Sequence, residues 1–172
     1  MRHARHVAAA LCTALILGCG TLAASVPAAF AATCSGTGCD GKNPYSYGCA
    51  GPGASYYVAE TTPLIDASTG VASNSYGYIQ LWWSNTCSTN WTRMVVNVSG
   101  ATLGLEDVVL KNANSAGQTH YQSKFSGAEG TYLTSQIYAA GIPAEAEGSL
   151  YQNLGNGDLI ELYYATVAQS GF

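Results

Sequence analysis

Four of the six cysteines in this chain restrict its folding more than any other feature; the other two, Cys12 and Cys19, lie in the amino-terminal leader described below. Cys34, Cys39 and Cys49 are crowded together, and Cys87 follows in a polar link between two apolar segments. In an exported chain, an even number of cysteines predicts two disulfides. Three pairings are possible; we favour Cys34–Cys39 with Cys49–Cys87, because the short glycine-containing loop between the first two is flexible enough to close, but spacing alone leaves the others open. The pattern predicts a stapled amino-terminal segment.

Residues 1–31 have the layout of a secretory signal peptide. A basic start is followed by the apolar run Val7–Leu17 and then by small residues at the expected cleavage site. The run is shorter than the roughly 20 residues that a membrane-spanning helix needs. We expect cleavage after Ala31 or Ala32, which leaves one secreted β-rich domain, 32–172, with no transmembrane span in the mature protein.

The leader also contains a segment that offers a rival interpretation. Ile16–Cys19 loosely resembles a lipoprotein cleavage box, in which Cys19 would be lipidated. The Ala29–Ala31 site downstream is better formed, so we favour a soluble extracellular protein over lipid anchoring at Cys19.

Charge argues against two classes of partner. The whole chain has six cations and ten carboxylates; removal of the leader takes two cations away and leaves four against ten, a net charge of −6. An acidic chain with four scattered cations has no patch that would neutralise nucleic-acid phosphates or an anionic membrane surface. We therefore expect no nucleic-acid partner.

The sequence predicts neither a metal nor another cofactor. A zinc site made of all four cysteines is the rival of the two disulfides. Zinc ligands usually come in close pairs, whereas the gaps here are four, nine and thirty-seven residues.

Most of the remaining signals have a period of two, which is typical of β-strands. Strands are predicted at Tyr78–Trp83, Trp91–Val98 and Leu159–Val167, and with weaker signals at Tyr56–Glu60, Val108–Leu110, Gln118–Phe125 and Tyr132–Ala139. Frequent glycines punctuate these segments. The fold class is therefore all-β, a small antiparallel sandwich or barrel with a disulfide-stapled amino-terminal segment. One short helical turn is expected at Pro143–Glu147, because proline followed by acidic residues resembles a helix start.

The strongest candidate for binding is an aromatic face on the predicted hairpin. Trp82 and Trp91 fall opposite the aliphatic face, and Arg93 follows on the same side as Trp91. Flat rings beside a guanidinium are good binding groups. The alternative is that a covering loop makes both tryptophans part of the core.

Candidates for catalysis are weak. His120 is the sole histidine after the leader and would have to be the base of any nucleophile–His pair, but no G-x-S-x-G motif is present. Glu106 and Asp107 would point to opposite faces of a strand, whereas Glu145 and Glu147 would share a face only in an extended chain. Glycoside hydrolysis needs two carboxyl groups roughly 5–10 Å apart. We assign no catalytic residue.

Two segments together resemble a known family. Cys34–Pro44 with Gly48–Cys49, and then Leu81–Arg93 with its Cys and Trp-x-Arg pattern, are similar to DUF2690, a secreted domain of unknown function common in actinobacteria. The likeness covers about residues 34–98, and the family usually carries Arg where Trp82 stands. It implies export and the cysteine framework, and it supplies no catalytic residue or ligand.

These observations predict a secreted, disulfide-stabilised β domain that is a non-enzymatic binding or interaction module. Its partner would be an extracellular protein or a glycan. The alternative is a small secreted hydrolase that uses carboxylates or His120.

Overall fold

The computed structural model describes residues 31–99, 103–111, 120–121, 125–126, 129–156 and 158–169. The predicted signal peptide lies outside these residues except for Ala31, and Cys19 lies outside them as well. Among the described residues, no helix is long and apolar enough to cross a membrane.

The described chain is all-β, as the sequence predicts. Its strands are β1 (Tyr56–Asp66), β2 (Ala72–Ser84), β3 (Thr89–Val96), β4 (Leu103–Lys111), β5 (His120–Tyr121), β6 (Phe125–Ser126), β7 (Gly130–Leu133), β8 (Ile137–Tyr138), β9 (Ala144–Asn153) and β10 (Leu159–Gln169). A short 3-10 helix, Gly36–Cys39, precedes them.

The strands form one antiparallel sheet in the order β5-β4-β9-β10-β1-β2-β3-β7, in which β6 also pairs with β4 and β8 with β3. The sheet curls into a half-barrel. This curl brings β3 and β4, which lie far apart in the strand order, close together. The Thr92 hydroxyl of β3 donates a buried hydrogen bond of 2.6 Å to the Val108 carbonyl oxygen of β4.

The core lies on the concave face of this curl. The predicted β2–β3 hairpin is confirmed, with Ile79 paired to Met94 and Leu81 to Thr92. Ile79, Leu81 and Met94 are fully buried, and burial of each such side chain contributes about 1.5–3 kcal/mol. Their buried apolar neighbours are Leu64, Val96, Val109, Ile137, Ala139, Ala144, Ala146, Leu150 and Ala165. The alternation read from the sequence therefore identifies the core face of the hairpin.

Strand β9 replaces the helical turn predicted at Pro143–Glu147, and that prediction is wrong. Ala144 and Ala146 are buried while Glu145 and Glu147 point to the outer face, which is a period of two. β9 pairs along one edge with β4 and along the other with β10. Two ladders of backbone hydrogen bonds override the weak helix signal of a proline followed by Ala and Glu.

Gly148 of β9 faces the core at a crowded point. A Cβ there would lie 2.8 Å from Ile79 Cδ1 and 2.9 Å from Met94 Sδ. The missing side chain lets β9 pack against the side chains of the β2–β3 hairpin.

The alternation in the predicted strand Leu159–Val167 groups Ile160, Leu162 and Tyr164 on one face, opposite Glu161 and Tyr163. In strand β10 this apolar grouping does not form the core face. Tyr163, Ala165 and Val167 pack on the core, whereas Ile160 and Tyr164 are exposed. The register of β10 against β9 shifts between Glu161 and Tyr163, so the alternation is not continuous along the strand.

Two weaker strand predictions are met in part. The predicted strand Tyr132–Ala139 is split between β7 and β8. Of the predicted strand Gln118–Phe125, the described residues are 120, 121 and 125, which belong to β5 and β6.

The amino-terminal segment 31–55, here called the cysteine lobe, contains one internal disulfide and is joined to the β2–β3 hairpin by a second. Cys34 pairs with Cys39 and Cys49 with Cys87, at Cα–Cα distances of 5.2 and 5.4 Å. This is the pairing that the sequence favours. The second disulfide connects the lobe to the turn between β2 and β3, where the Ser84 hydroxyl also donates to the Cys49 carbonyl oxygen at 2.6 Å.

A second attachment of the cysteine lobe comes from far along the chain. The Gln136 amide donates to the Lys42 carbonyl oxygen, and the Gly41 amide donates to the Gln136 carbonyl oxygen, both at 2.9 Å. The Tyr138 amide donates to the Asp40 carboxylate at 2.5 Å. The lobe is therefore fixed both to the β2–β3 turn and to the β8 segment.

Candidate functional site

The two tryptophans of the predicted binding face lie side by side on the outer face of the sheet. Trp82 of β2 is directly opposite Trp91 of β3, and their rings are stacked at 5.9 Å between centroids with 18° between planes. Trp91 is fully buried, whereas Trp82 is half-buried. Only Trp82 of this pair can therefore reach a ligand.

Arg93 lies on the same face and is held against Trp82. Its guanidinium carbon is 5.9 Å from the centroid of the Trp82 ring, within the range of a cation–π contact. Arg93 Nη1 and Trp82 Nε1 both donate to Gln80 Oε1, at 3.2 and 3.1 Å. One amide oxygen thus fixes the orientation of both groups.

Two tyrosines extend this face toward the cysteine lobe. The Tyr56 ring lies 5.7 Å from that of Trp82 and 6.2 Å from that of Trp91. The Tyr45 ring lies 6.5 Å from that of Trp91 and 6.2 Å from that of Tyr56, edge-on to both. We call the set Tyr45, Tyr56, Trp82, Trp91 and Arg93 the aromatic patch.

Tyr45 is the most exposed ring of the aromatic patch, with 43% of its surface accessible. Partial burial raises the pKa of its hydroxyl, the neighbouring Tyr56 raises it further, and Arg93 acts in the opposite direction. The hydroxyl therefore stays protonated at neutral pH and is both a donor and an acceptor of hydrogen bonds.

A pocket of about 360 Å³ adjoins Tyr45. It is lined by Ala31, Thr33, Tyr45, Ser46, Gly48, Ala50, Gly51 and Pro52. Its volume falls in the range of small-molecule sites, roughly 300–1,000 Å³. The patch thus continues from a flat aromatic surface into a concavity of the cysteine lobe.

Trp91 carries an unusual polar atom. Its Nε1 is buried and has no hydrogen-bond partner among the described residues. A buried donor without an acceptor costs about 1–3 kcal/mol.

The four cysteine sulfurs form a single cluster. All four Sγ atoms lie within 4.8 Å of one another, and the Sγ atoms of Cys34 and Cys49, which are not bonded, are 3.6 Å apart. Cys39, Cys49 and Cys87 are buried and Cys34 is half-buried.

The candidates for catalysis are distributed over strands β4, β5 and β9. His120 lies on β5 with its backbone opposite Val109, while Glu106 and Asp107 lie on β4. Glu145 and Glu147 share the outer face of β9, as expected for an extended chain. Partial burial raises the pKa of Glu145, and the charge of Glu147 raises it further.

Sequence reasoning found Trp82, Trp91 and Arg93 but missed three residues of the site. Tyr56 and Gln80 have the strand parity that places them on the outer face, so their alternation was a usable signal. Tyr45 lies in an irregular segment with no period, and nothing in the sequence indicates that it contacts a strand.

No protein-family model, curated protein or solved structure matches this chain. The resemblance to DUF2690 therefore stays a prediction.

Proposed function

We propose that this protein is a secreted, non-enzymatic binding module and that the aromatic patch with its adjoining pocket binds an extracellular glycan. The observation that carries the proposal is the hydrogen-bonded group of Trp82, Arg93 and Gln80, which continues through Tyr56 to the exposed ring of Tyr45. Tryptophan, tyrosine and arginine are the residues that dominate binding energy at recognition surfaces.

The arrangement is rigid before any ligand arrives. The Gln80 oxygen holds Trp82 and Arg93 through two hydrogen bonds, and the buried ring of Trp91 stacks against that of Trp82. A preorganised surface loses little side-chain entropy on binding.

The pocket favours a glycan over a protein, because a concavity of this volume accepts a unit of small-molecule size. Predicted cleavage after Ala31 removes one of its lining residues, so the mature secreted protein is the form to test. An extracellular protein is the alternative partner.

The test is a glycan array probed with the fluorescently labelled protein recovered from culture medium. We expect binding that Tyr45→Ala weakens at least about tenfold, the equivalent of 1.4 kcal/mol. Tyr164→Ala is the matched control, because Tyr164 is 38% exposed against 43% for Tyr45 and lies on β10. Equal binding by Tyr45→Ala and wild type would exclude the patch as the site. An unbound array together with a captured extracellular protein would assign the patch to protein recognition.

One observation favours the hydrolase alternative. Glu145 and Glu147 are two residues apart on one strand face, which separates their Cα atoms by about 7 Å and suits a pair of catalytic carboxyl groups. Hydrolysis of a glycoside that Glu145→Gln abolishes and Tyr45→Ala leaves intact would replace the binding proposal.

A further inference from the structure

The arrangement of the four cysteines goes beyond what two disulfides require. Each disulfide fixes only its own pair of sulfurs, yet all four Sγ atoms fall within 4.8 Å of one another. In a tetrahedral zinc site with Zn–S bonds of about 2.3 Å, the sulfurs are roughly 3.8 Å apart. The unbonded sulfurs of Cys34 and Cys49, at 3.6 Å, already have that spacing.

The environment of the cluster is that of a metal site. Three of the cysteines are buried, and half-buried Cys34 gives access from solvent. The Gln136 side-chain amide lies 3.7 Å from Cys34 Sγ and is oriented to donate to it. Gln136 is itself held by the Thr89 hydroxyl, which donates to Gln136 Oε1 at 2.8 Å. Groups that orient the ligands in this way are typical of the outer shell of metal centres.

Sequence spacing argued against zinc because the ligands are scattered. The fold removes that objection, since the Cys49–Cys87 contact spans 38 residues and the sheet itself brings the sulfurs together. Two of the cysteines also have the C-x4-C spacing that occurs in zinc sites.

We propose that the cysteine lobe has a second state, in which the four reduced sulfurs bind one Zn²⁺ as a tetrathiolate. Two molecules of a dithiol reductant each transfer two electrons and two protons, so both disulfides become thiols and both reductants become disulfides. Zinc then binds four thiolates, and four protons pass to solvent. The lobe is held covalently in the oxidised state and by the metal in the reduced state.

The test uses the mature chain, residues 32–172, which lacks Cys12 and Cys19 of the predicted leader. It is reduced under argon, with Co²⁺ and then Zn²⁺ as probes. We expect one Co²⁺ per chain with the absorption of a tetrahedral thiolate complex, displacement by one equivalent of Zn²⁺, and no such spectrum for the oxidised chain. Melting followed by circular dichroism should show that zinc raises the Tm of the reduced chain, because a ligand that binds only the folded state stabilises it.

Two variants distinguish a specific four-cysteine site from nonspecific binding of metal by the reduced thiols. Cys34→Ser keeps the Cys49–Cys87 disulfide in the oxidised chain and should lose the tetrathiolate spectrum on reduction. Gln136→Met keeps all four ligands and should lower zinc affinity by about 10–100-fold, the range seen for outer-shell partners. The proposal is overturned if reduced wild type binds no Co²⁺ at 1:1, if Cys34→Ser gives the same spectrum, or if zinc leaves the Tm unchanged.

Discussion

The two faces of the β2–β3 hairpin are built from alternate residues of the same strands, yet they are buried by different means. On the inner face, Ile79, Leu81 and Met94 are covered by the curl of the sheet itself. On the outer face, Trp91 is equally buried, but its cover is a set of aromatic rings that includes Tyr45 from the cysteine lobe.

The two faces also differ in which groups their side-chain hydrogen bonds join. Inside, the Thr92 hydroxyl has a 2.6 Å hydrogen bond to a neighbouring strand. Outside, the Gln80 oxygen serves two donors while the indole nitrogen of Trp91 has no partner among the described residues. The side-chain oxygen of Asn90, which has the parity of the inner face, is also without a partner among the described residues, so an unpaired buried atom does not distinguish the two faces. The outer face is distinguished by the shared Gln80 oxygen, which orients the half-buried Trp82 and Arg93 and supports the proposed role of this face in recognition.

The largest loss of stability is expected from removing the buried ring of the outer face. Trp91→Ala should lower the free energy of unfolding by about 3–5 kcal/mol, because it empties a fully buried aromatic site. Urea denaturation measures the loss, with Leu81→Ala on the inner face as the comparison at about 2–5 kcal/mol. A loss below about 1 kcal/mol for Trp91→Ala would mean that the outer face is a surface and not a second packed layer.

Overfilling the inner face should have the next largest effect. Gly148→Ala places a Cβ within 2.9 Å of Ile79 and Met94, and such overpacking costs about 1–3 kcal/mol. Gly38→Ala is the control, because no atom lies within 4 Å of a Cβ there. Equal unfolding midpoints for the two variants would show that Ile79 and Met94 can move enough to accommodate the added Cβ at position 148.

Arg93→Met should separate binding from stability on the outer face. The cation–π contact contributes about 0.5–1 kcal/mol at a partly exposed site, so the unfolding midpoint should change little while glycan binding falls. Lys42→Met, which removes the cation 5.5 Å from the Tyr47 ring, is the matched variant and should leave binding intact. If both variants bind alike, Arg93 is not part of the recognition surface.

The smallest effect on stability is expected from Glu145 and Glu147, the acidic pair on β9. Because the folded-state pKa of Glu145 is raised, its ionisation disfavours the native state. Stability is therefore lost as pH rises from the unfolded pKa, near 4.5, through the raised folded value, and the loss is complete above it. Glu145→Gln should flatten this part of a Tm-against-pH curve. A wild-type Tm that does not fall across that pH range would show that ionisation of Glu145 does not destabilise the folded protein.

The inner face of the hairpin was predictable because period-two alternation directly encodes which side chains share a face. The same alternation predicted that Trp82, Trp91 and Arg93 share the outer face, and the short polar link around Cys87 predicted that the strands pair. Burial of the tryptophans under a covering loop was the stated alternative, and it holds for Trp91 but not for half-buried Trp82. The residue that covers Trp91 was not predictable, because Tyr45 lies in a segment without period.

Strand β9 was missed for a different reason. Alanine and glutamate are poor strand formers, and Pro143 has the appearance of a helix start. What makes the segment a strand is its position between β4 and β10, which is a property of the whole sheet. The disulfide pairing stayed open because three pairings satisfy the spacing, and only the fold brings Cys49 to Cys87.

The bond between Tyr138 and Asp40 joins residues 98 positions apart, and the contact of Gln136 with Cys34 joins residues 102 apart. In a chain that crosses a membrane amino terminus first, the cysteine lobe emerges early, but its partners on β8 arrive only after most of the sheet has been delivered. Contacts of such long sequence separation form slowly. If the chain is exported as proposed, the lobe would cross the membrane before its contacts with β8 exist. We would then expect the long-range Cys49–Cys87 pair to need late oxidation or an isomerase that reverses early errors, whereas the local Cys34–Cys39 pair would not.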